Sequence, residues 1–486
     1  MQPPSIHERS PAEVAAGGSV GDELSTTTGT LSGAKYPSPL TPTPFERYML
    51  VEDRPAYSMS FVIVAELDGR ADETAMRQAI RCALQRHPML TARLVRRRGR
   101  TNWVGSTTEP TIVWHDSATG SAPATRPNPS RGSGVLFHVL RDDEQTSLHF
   151  YFHHAVTDGI GAGQFIGDVL ALYGQQTATI EDRPRLLPLD MEHLKQRHRF
   201  DIRIPYPVSR FVAWRSMLTE SWKVIRRRPC VLRAPKDPPI SALGDKSADP
   251  KLILDRDALG NYADVAAAND VTVNDLLLRD VFLTMRRWNA SLGASSGREW
   301  LRATVPTNLR CRKALRMPAA NMIGYAFLTH QAAECDDPPV LLSSLTHEMK
   351  AVTRWGLGAF FVRAIDCADR IPGLLWACSR MSRRFSTLVF SNGGEIVRRS
   401  RARFPTENGR VVAGNLVLRN VYGAPPVRPG TRLAIGVIEY DQQMTFVARY
   451  DRKHFTGASA VDFLNMFGEQ LFHTTAARNN APPRVD

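Results

Sequence analysis

Thirteen histidines are spread over this chain. Two are adjacent, in the run His153-His154-Ala155-Val156-Thr157-Asp158-Gly159. The pair alone is close to a chance event, but Asp and Gly at fixed offsets make the whole pattern far rarer. It sits where a strand pattern ends and before a helix pattern begins. An imidazole leaving the last strand position into a cleft suits a general base, because its ordinary pKa of about 6.5 leaves it largely neutral near pH 7. His154 is the candidate for that role. Asp158 has two readings. It orients the imidazole as a triad carboxylate would, or it turns away and pairs with an arginine to hold the loop. Gly159 is expected to supply the backbone angles of a sharp turn. A metal reading would draw on His149, His153 and His154. Neighbours along a strand face opposite ways, so His153 and His154 are poorly placed to share an ion, and no metal is expected. The bland alternative is two histidines without chemistry.

The elements around this run follow from periodicity. Val135–Leu140 and Ser147–Phe152 read as paired strands, with His149, Tyr151 and His153 alternating with Leu148, Phe150 and Phe152. Gly161–Tyr173 reads as a helix with Phe165, Val169 and Leu172 inward. Upstream, Ser60–Leu67 is a strand. Asp72–Arg86 is a helix capped by Asp72, with Ala75, Ala79, Ile80, Ala83 and Leu84 on its apolar face, and Pro88 stops it. A second unit starts near Lys251. It contains a helix over Thr272–Asn289, a strand over Trp300–Pro306, helices over 340–352 and 359–381, and strands over 386–390, 410–419, 432–440 and 444–450. Ser459–Phe472 closes it. The resulting division is a flexible tail (1–38), an N-terminal lobe (39–185), a basic Pro- and Arg-rich connection (186–245), a C-terminal lobe (246–475) and a short tail (476–486).

The chain has 486 residues, 43% hydrophobic and 23% charged, which excludes wholesale disorder and fibrous repeats. No apolar run is long enough to span a bilayer, and the N-terminus lacks the basic head and apolar core of a secretory signal. Six scattered cysteines without a Cys-x-x-Cys pair fit a reducing, cytoplasmic setting rather than a disulfide framework or a zinc ribbon. Net charge is +14. Much of the excess lies between Lys195 and Lys236, where twelve Lys or Arg face two acids, Asp201 and Glu220. Within it, Phe211, Trp214, Leu218, Trp222 and Ile225 form a helical apolar stripe flanked by arginines. A basic amphipathic helix over 209–228 either packs on its own protein or lies on an anionic membrane surface. No zinc finger, RNP or helix-turn-helix pattern accompanies the charge, so nucleic acid is not an expected partner.

The run HHAVTDG resembles the HHxxxDG signature of the chloramphenicol-acetyltransferase-like superfamily, which includes condensation domains of peptide synthetases and wax ester synthases. Other stretches agree in order. Arg86-His87-Pro88-Met89-Leu90-Thr91-Ala92-Arg93 is similar to the RHPxLxxR segment of condensation-type proteins. Thr272–Asn289 resembles their central helix. Val305-Pro306-Thr307-Asn308-Leu309-Arg310 followed by Asn321-Met322-Ile323-Gly324 resembles VPxxxR…NxxG, and Ser391-Asn392-Gly393 resembles SNxG. The resemblance spans roughly residues 40–475. It lacks the SNVPGP ending of typical wax ester synthases and the DFGWG motif of plant acyltransferases.

The resemblance implies an α/β fold of two similar lobes, each a mixed sheet with flanking helices, with an active-site tunnel between them. It implies His154 as catalytic base, with His153, Asp158 and Gly159 supporting it. Asp158 is implied to pair with Arg310, although Arg312 stands two residues on. Ser391 and Asn392 are candidates to hydrogen-bond an oxyanion or substrate, or else form a strand-end turn. His87 is expected to pack or cap rather than react. The implied activity is acyl transfer to a hydroxyl or amine acceptor, with acyl-CoA or a phosphopantetheinyl acyl-carrier protein as donor substrate and no bound cofactor. Two alternatives stand beside it: a non-catalytic docking module, and a membrane-peripheral wax ester or diacylglycerol acyltransferase.

Overall fold

The computed structural model describes residues 25–26, 40–97, 99–106, 109–117, 126–200, 222, 226–235, 248–293, 296–381 and 385–476. Alternating patterns pair as expected near the histidine run. Ser60–Asp68 lies antiparallel to Gln145–His153, with Ser60 opposite His153, and Val135–Arg141 flanks the latter strand on its other side. Together they form the centre of a mixed sheet in the order Ser25–Thr26, Ile112–His115, Val135–Arg141, Gln145–His153, Ser60–Asp68, Leu416–Ala424, Arg410–Ala413, Thr406–Glu407. A second mixed sheet runs Ile323–Gln331, Trp300–Asn308, Leu388–Asn392, Leu433–Tyr440, Gln443–Tyr450, Lys251–Leu254. Two large apolar clusters form the core, one under the first sheet that also takes in Ile323, Tyr325, Ile438 and Tyr440 of the second, and one on the second sheet. In the first lobe the helix Glu73–Arg86 packs on Gly159–Thr177. Its buried face uses Met76 where the sequence suggested Ala75.

The lobes are not separate stretches of chain. Thr406–Ala424 lies inside the range read as the C-terminal lobe, yet it extends the first sheet through Leu416–Ala424 against Ser60–Asp68. The boundary drawn at 246 therefore does not follow the sheets, because which strand pairs with which is not written in local alternation. The two sheets meet closely at Gly436, where a Cβ would stand 2.2 Å from the carbonyl oxygen of Gly423.

Other expectations shift in identifiable ways. The helix read over 359–381 is two helices, Gly358–Asp369 and Leu374–Met381. The break holds Pro372, which cannot donate to the ladder, and Gly373 at φ +79°. The strand read over 410–419 turns at Gly414 (φ +62°) into the hairpin Arg410–Ala413 and Leu416–Ala424. The helix Pro44–Glu52 and the strand Ile323–Gln331 were not anticipated.

Most of the basic stripe over 209–228 lies outside the described residues, as does most of the N-terminal tail and all of the C-terminal one beyond residue 476. Within the tail, Ser25 and Thr26 pair with Trp114 and Val113. Part of the basic connection is committed to the protein itself. The Arg197 side chain is 2% exposed and bonds Glu46 at 2.6 Å, and Arg227 stacks over Trp300 at 4.6 Å. Trp222 is 60% exposed. Among the described residues no helix is long and apolar enough to cross a membrane. All six cysteines are free thiols.

On the first sheet His115, His138 and His149 form a row of rings, with centroids 5.0 and 5.5 Å apart. Burial holds both His138 and His149 near a pKa of about 4, helped at His138 by its two neighbours. Both values lie below the ordinary 6.5. The unfolded chain therefore takes up protons between pH 6.5 and 4 that the folded chain refuses, so stability is lost as pH falls through that window. Urea unfolding should show lower stability at pH 5 than at pH 7, by about 1–2 kcal/mol for the two rings together. Replacing both residues by Phe should remove that share of the slope; an unchanged slope would contradict it.

Candidate active site

His154 follows directly on the strand Gln145–His153, and its backbone N–H donates to the carbonyl of Met59 at 2.9 Å. The two adjacent rings diverge, as strand geometry requires. His153 is fully buried; its Nδ1 accepts from Ala155 N–H at 3.0 Å, and its Nε2 faces Asp53 at 3.6 Å. His154 lies on Phe61, with ring centroids 4.4 Å apart. His149 lies against His138 instead, with the ring planes tilted by 46°. The three histidines considered for a metal thus turn to three different neighbours.

His154 is 8% exposed. Its Nδ1 is buried with no hydrogen bond of normal geometry among the described residues, although the Thr157 backbone lies close enough to favour the protonated ring. Two cavities meet at this ring. One, of about 110 Å³, is lined by Met59, Ile160, Tyr325, Ser391 and Arg428 among others. The other, of about 70 Å³, runs past Phe61, Ile396, Gly423 and Ile438. His154, Gly159, Ser391, Gly393 and Pro425 line both. Residues from the two sheets therefore enclose one imidazole, which lines both cavities.

Burial pushes the His154 pKa down to about 4, with Asp158 opposing the shift and His153 adding to it. The ring is accordingly neutral at physiological pH and ready to accept a proton. This gives a pH prediction: kcat/KM should stay level as pH falls from 8 to about 5, with its acid limb set by a group near 4 rather than 6–7. An acid limb centred at an ordinary histidine value would contradict the buried geometry.

Asp158 does not face the imidazole as a triad carboxylate. It is fully buried and bound in a fork by Arg310, with Nη1 to Oδ2 at 2.8 Å and Nη2 to Oδ1 at 2.9 Å. It also accepts from Met322 N–H (2.7 Å) and Gly161 N–H (2.9 Å), and in the latter bond it caps the helix Gly159–Thr177. Arg310 Nη2 donates on to the carbonyl of Ala320. Asn321 Nδ2 donates to the backbone carbonyl of His154 itself. His87, fully buried, accepts from Ala319 N–H at 2.9 Å through Nδ1 and meets Asp168 at 3.1 Å through Nε2. One strap of the second lobe, residues 319–322, is thereby bonded to the backbone that carries His154.

The expectation for Gly159 needs correction. Its φ is not in the left-handed region, and a Cβ there would meet nothing within 4 Å. It is instead the first helical residue and lines both cavities, so its lack of a side chain leaves space beside His154. The glycine that the packing demands is Gly161, where a Cβ would lie 2.4 Å from Thr157 Oγ1 and 3.1 Å from Ala320 N.

Ser391 and Asn392, at the end of the strand Leu388–Asn392, face the 110 Å³ cavity but differ in availability. Asn392 donates to Asn274 Oδ1 (3.0 Å) in the helix Val273–Ser291 and accepts from Gly394 N–H (2.9 Å), so its amide is committed to that helix and to its own turn. The Ser391 hydroxyl has no partner among the described residues and is the free donor. Sequence reasoning did not single out Ile160, Thr304, Tyr325 or Arg428, which line the same space. At Gly159 and Ile160 the first-turn N–H groups of a 19-residue helix point to the end that carries partial positive charge.

No family model matches the sequence, and no curated protein matches it. Solved structures do match in fold. The first condensation domain of the calcium-dependent antibiotic synthetase, solved with a substrate analogue, superposes with a TM-score of 0.64 at 13% identity over 92% of this chain and 99% of its own. A trichothecene 15-O-acetyltransferase from Fusarium sporotrichioides gives 0.61 at 13% identity over 92% and 96%. Polyketide synthase associated protein 5 from Mycobacterium tuberculosis gives 0.59 at 15% identity over 91% and 100%. The chain has the two-lobed fold of condensation domains and chloramphenicol-acetyltransferase-like acyltransferases.

Proposed function

We propose that this chain is an acyltransferase that moves an acyl group from a thioester to a hydroxyl or amine acceptor, with His154 as the general base. The observation that carries it is one neutral imidazole where two cavities meet between the lobes. A thioester reaches it from one side and the acceptor from the other. The acceptor heteroatom attacks the thioester carbonyl as its proton passes to Nε2. The tetrahedral oxyanion then collapses, the C–S bond breaks, and the proton goes to the departing sulfur as free thiol. Positioned proton transfer of this kind contributes about 10²–10⁴ in rate. Ser391 Oγ and the Gly159 and Ile160 amides, the Gly161 amide being taken by Asp158, are the groups suited to stabilise the oxyanion. No covalent acyl-enzyme is needed. The donor is acyl-CoA or an acyl-carrier protein; solved relatives in fold include a condensation domain in complex with an acyl-CoA.

The test is free-thiol release across a panel of acyl-CoA donors with hydroxyl and amine acceptors. Release that depends on acceptor supports the proposal. Donor binding by titration calorimetry with no thiol release from any pair would support the docking-module alternative instead.

A further inference from the structure

The 110 Å³ cavity contains polar groups that the transfer chemistry does not use. Thr304, on the strand Trp300–Asn308, is 2% exposed and lines the cavity, and its hydroxyl is buried with no hydrogen-bond partner among the described residues. Arg428, in the turn after Leu416–Ala424, is 8% exposed and lines the same cavity. Its Nε and Nη2 both donate to one oxygen of Glu52, at 3.2 and 2.7 Å. Its Nη1 makes no hydrogen bond among the described residues. The other Glu52 oxygen lies 3.9 Å from Arg54 Nη2, so two guanidiniums share one carboxylate. The guanidinium is held between Tyr48 and Phe385, 5.5 and 5.3 Å from the ring centroids, which fixes its direction. Tyr325 completes the wall; burial pushes its hydroxyl up to about 12, so it stays a donor at neutral pH.

A buried hydroxyl without a partner is costly unless something fills it, and the Arg428 guanidinium that lines the same cavity has one nitrogen left to donate. Both are donors facing one space that is otherwise largely apolar, and the local balance of two guanidiniums to one carboxylate favours an anion. A planar carboxylate accepts from both at once.

We propose that this arm of the cavity is a carboxylate subsite, in which Arg428 Nη1 and Thr304 Oγ1 hold a free carboxylate carried by one of the two substrates. It rests on the acyl-transfer proposal for its place beside His154. The carboxylate comes either from the far end of the acyl chain, as in an ω-carboxyacyl thioester, or from the acceptor, as in an amino or hydroxy acid. The chemistry recognised is the same.

The experiment compares kcat/KM for matched pairs: glutaryl-CoA against its ω-carboxamide, and amino-acid acceptors against their amides. The wild type should prefer the carboxylate of one pair by about 10–100-fold, carried mainly by KM. In Glu52→Gln/Arg428→Gln, which removes both buried charges together, that ratio should fall to about 1. Thr304→Val, of similar shape, should lower it several-fold and serves if the double variant does not fold. A ratio near 1 in the wild type for both pairs, or a ratio unchanged by these substitutions, overturns the subsite while leaving acyl transfer intact. If no thioester is turned over at all, the acyl-transfer proposal fails, and glutarate is used as the probe. A rise in melting temperature seen in the wild type and lost in Thr304→Val then supports the subsite, and no rise overturns it.

Discussion

Asp158→Ala should destabilise the protein by about 3–5 kcal/mol, measured by urea unfolding at pH 7. The carboxylate is fully buried and holds four partners: two guanidinium nitrogens of Arg310, Met322 N–H and Gly161 N–H. Removing it leaves a guanidinium in a site where its side chain is 5% exposed. It also removes the cap of the helix Gly159–Thr177, worth about 1 kcal/mol by itself. Arg310→Ala should cost less, because the carboxylate keeps its two backbone donors. A double-mutant cycle should therefore show strong coupling, with the double variant less damaged than the sum of the singles. Equal costs for the two singles, with no coupling, would contradict the fork. Because Arg310, Ala320 and Asn321 reach the His154 carbonyl through one strap, activity should fall in Asp158→Ala even at temperatures where it remains folded.

His154→Ala should lower kcat for thiol release by about 10²–10⁴ while leaving the melting temperature nearly unchanged. The ring lies tilted against Phe61, and its Nδ1 has no hydrogen-bonded side-chain partner among the described residues, so little of the fold depends on it. Loss of a buried group that resists protonation also removes an acid-sensitive element. The split matters: a variant that lost activity by unfolding would lose stability as well. Wild-type turnover by His154→Ala would remove the base from the account.

How much of this was written in the sequence differs from residue to residue. The histidine run and the helix after it were legible because they are local: alternation, then 3.6-residue periodicity; the cap that Asp158 supplies to that helix shows only in the structure. The two readings of Asp158 were separated only by a partner 152 residues away. Thr43-Pro44-Phe45-Glu46 carries a local signal of its own, a capping box that starts the helix Pro44–Glu52. Ile323–Gln331 carried a weaker one; its first four residues are all buried, so the strand does not alternate there. The cavity wall was not legible at all. Thr304, Tyr325 and Arg428 come from two strands and a turn that only the sheet order brings together. The same holds for Leu416–Ala424, whose place beside Ser60–Asp68 is a matter of long-range register. Gly159 shows the reverse error, a local rule about turns applied where the backbone is helical and the missing side chain serves the cavity.

The most direct test of direct transfer through His154 is a single-turnover experiment with excess enzyme and one acyl-CoA donor, followed by thiol release and by intact-protein mass. Wild-type enzyme should release thiol only once acceptor is added and should never carry the acyl mass, and His154→Ala should release almost none on the same timescale. An acylated protein before acceptor is added, or equal release by the variant, would contradict it.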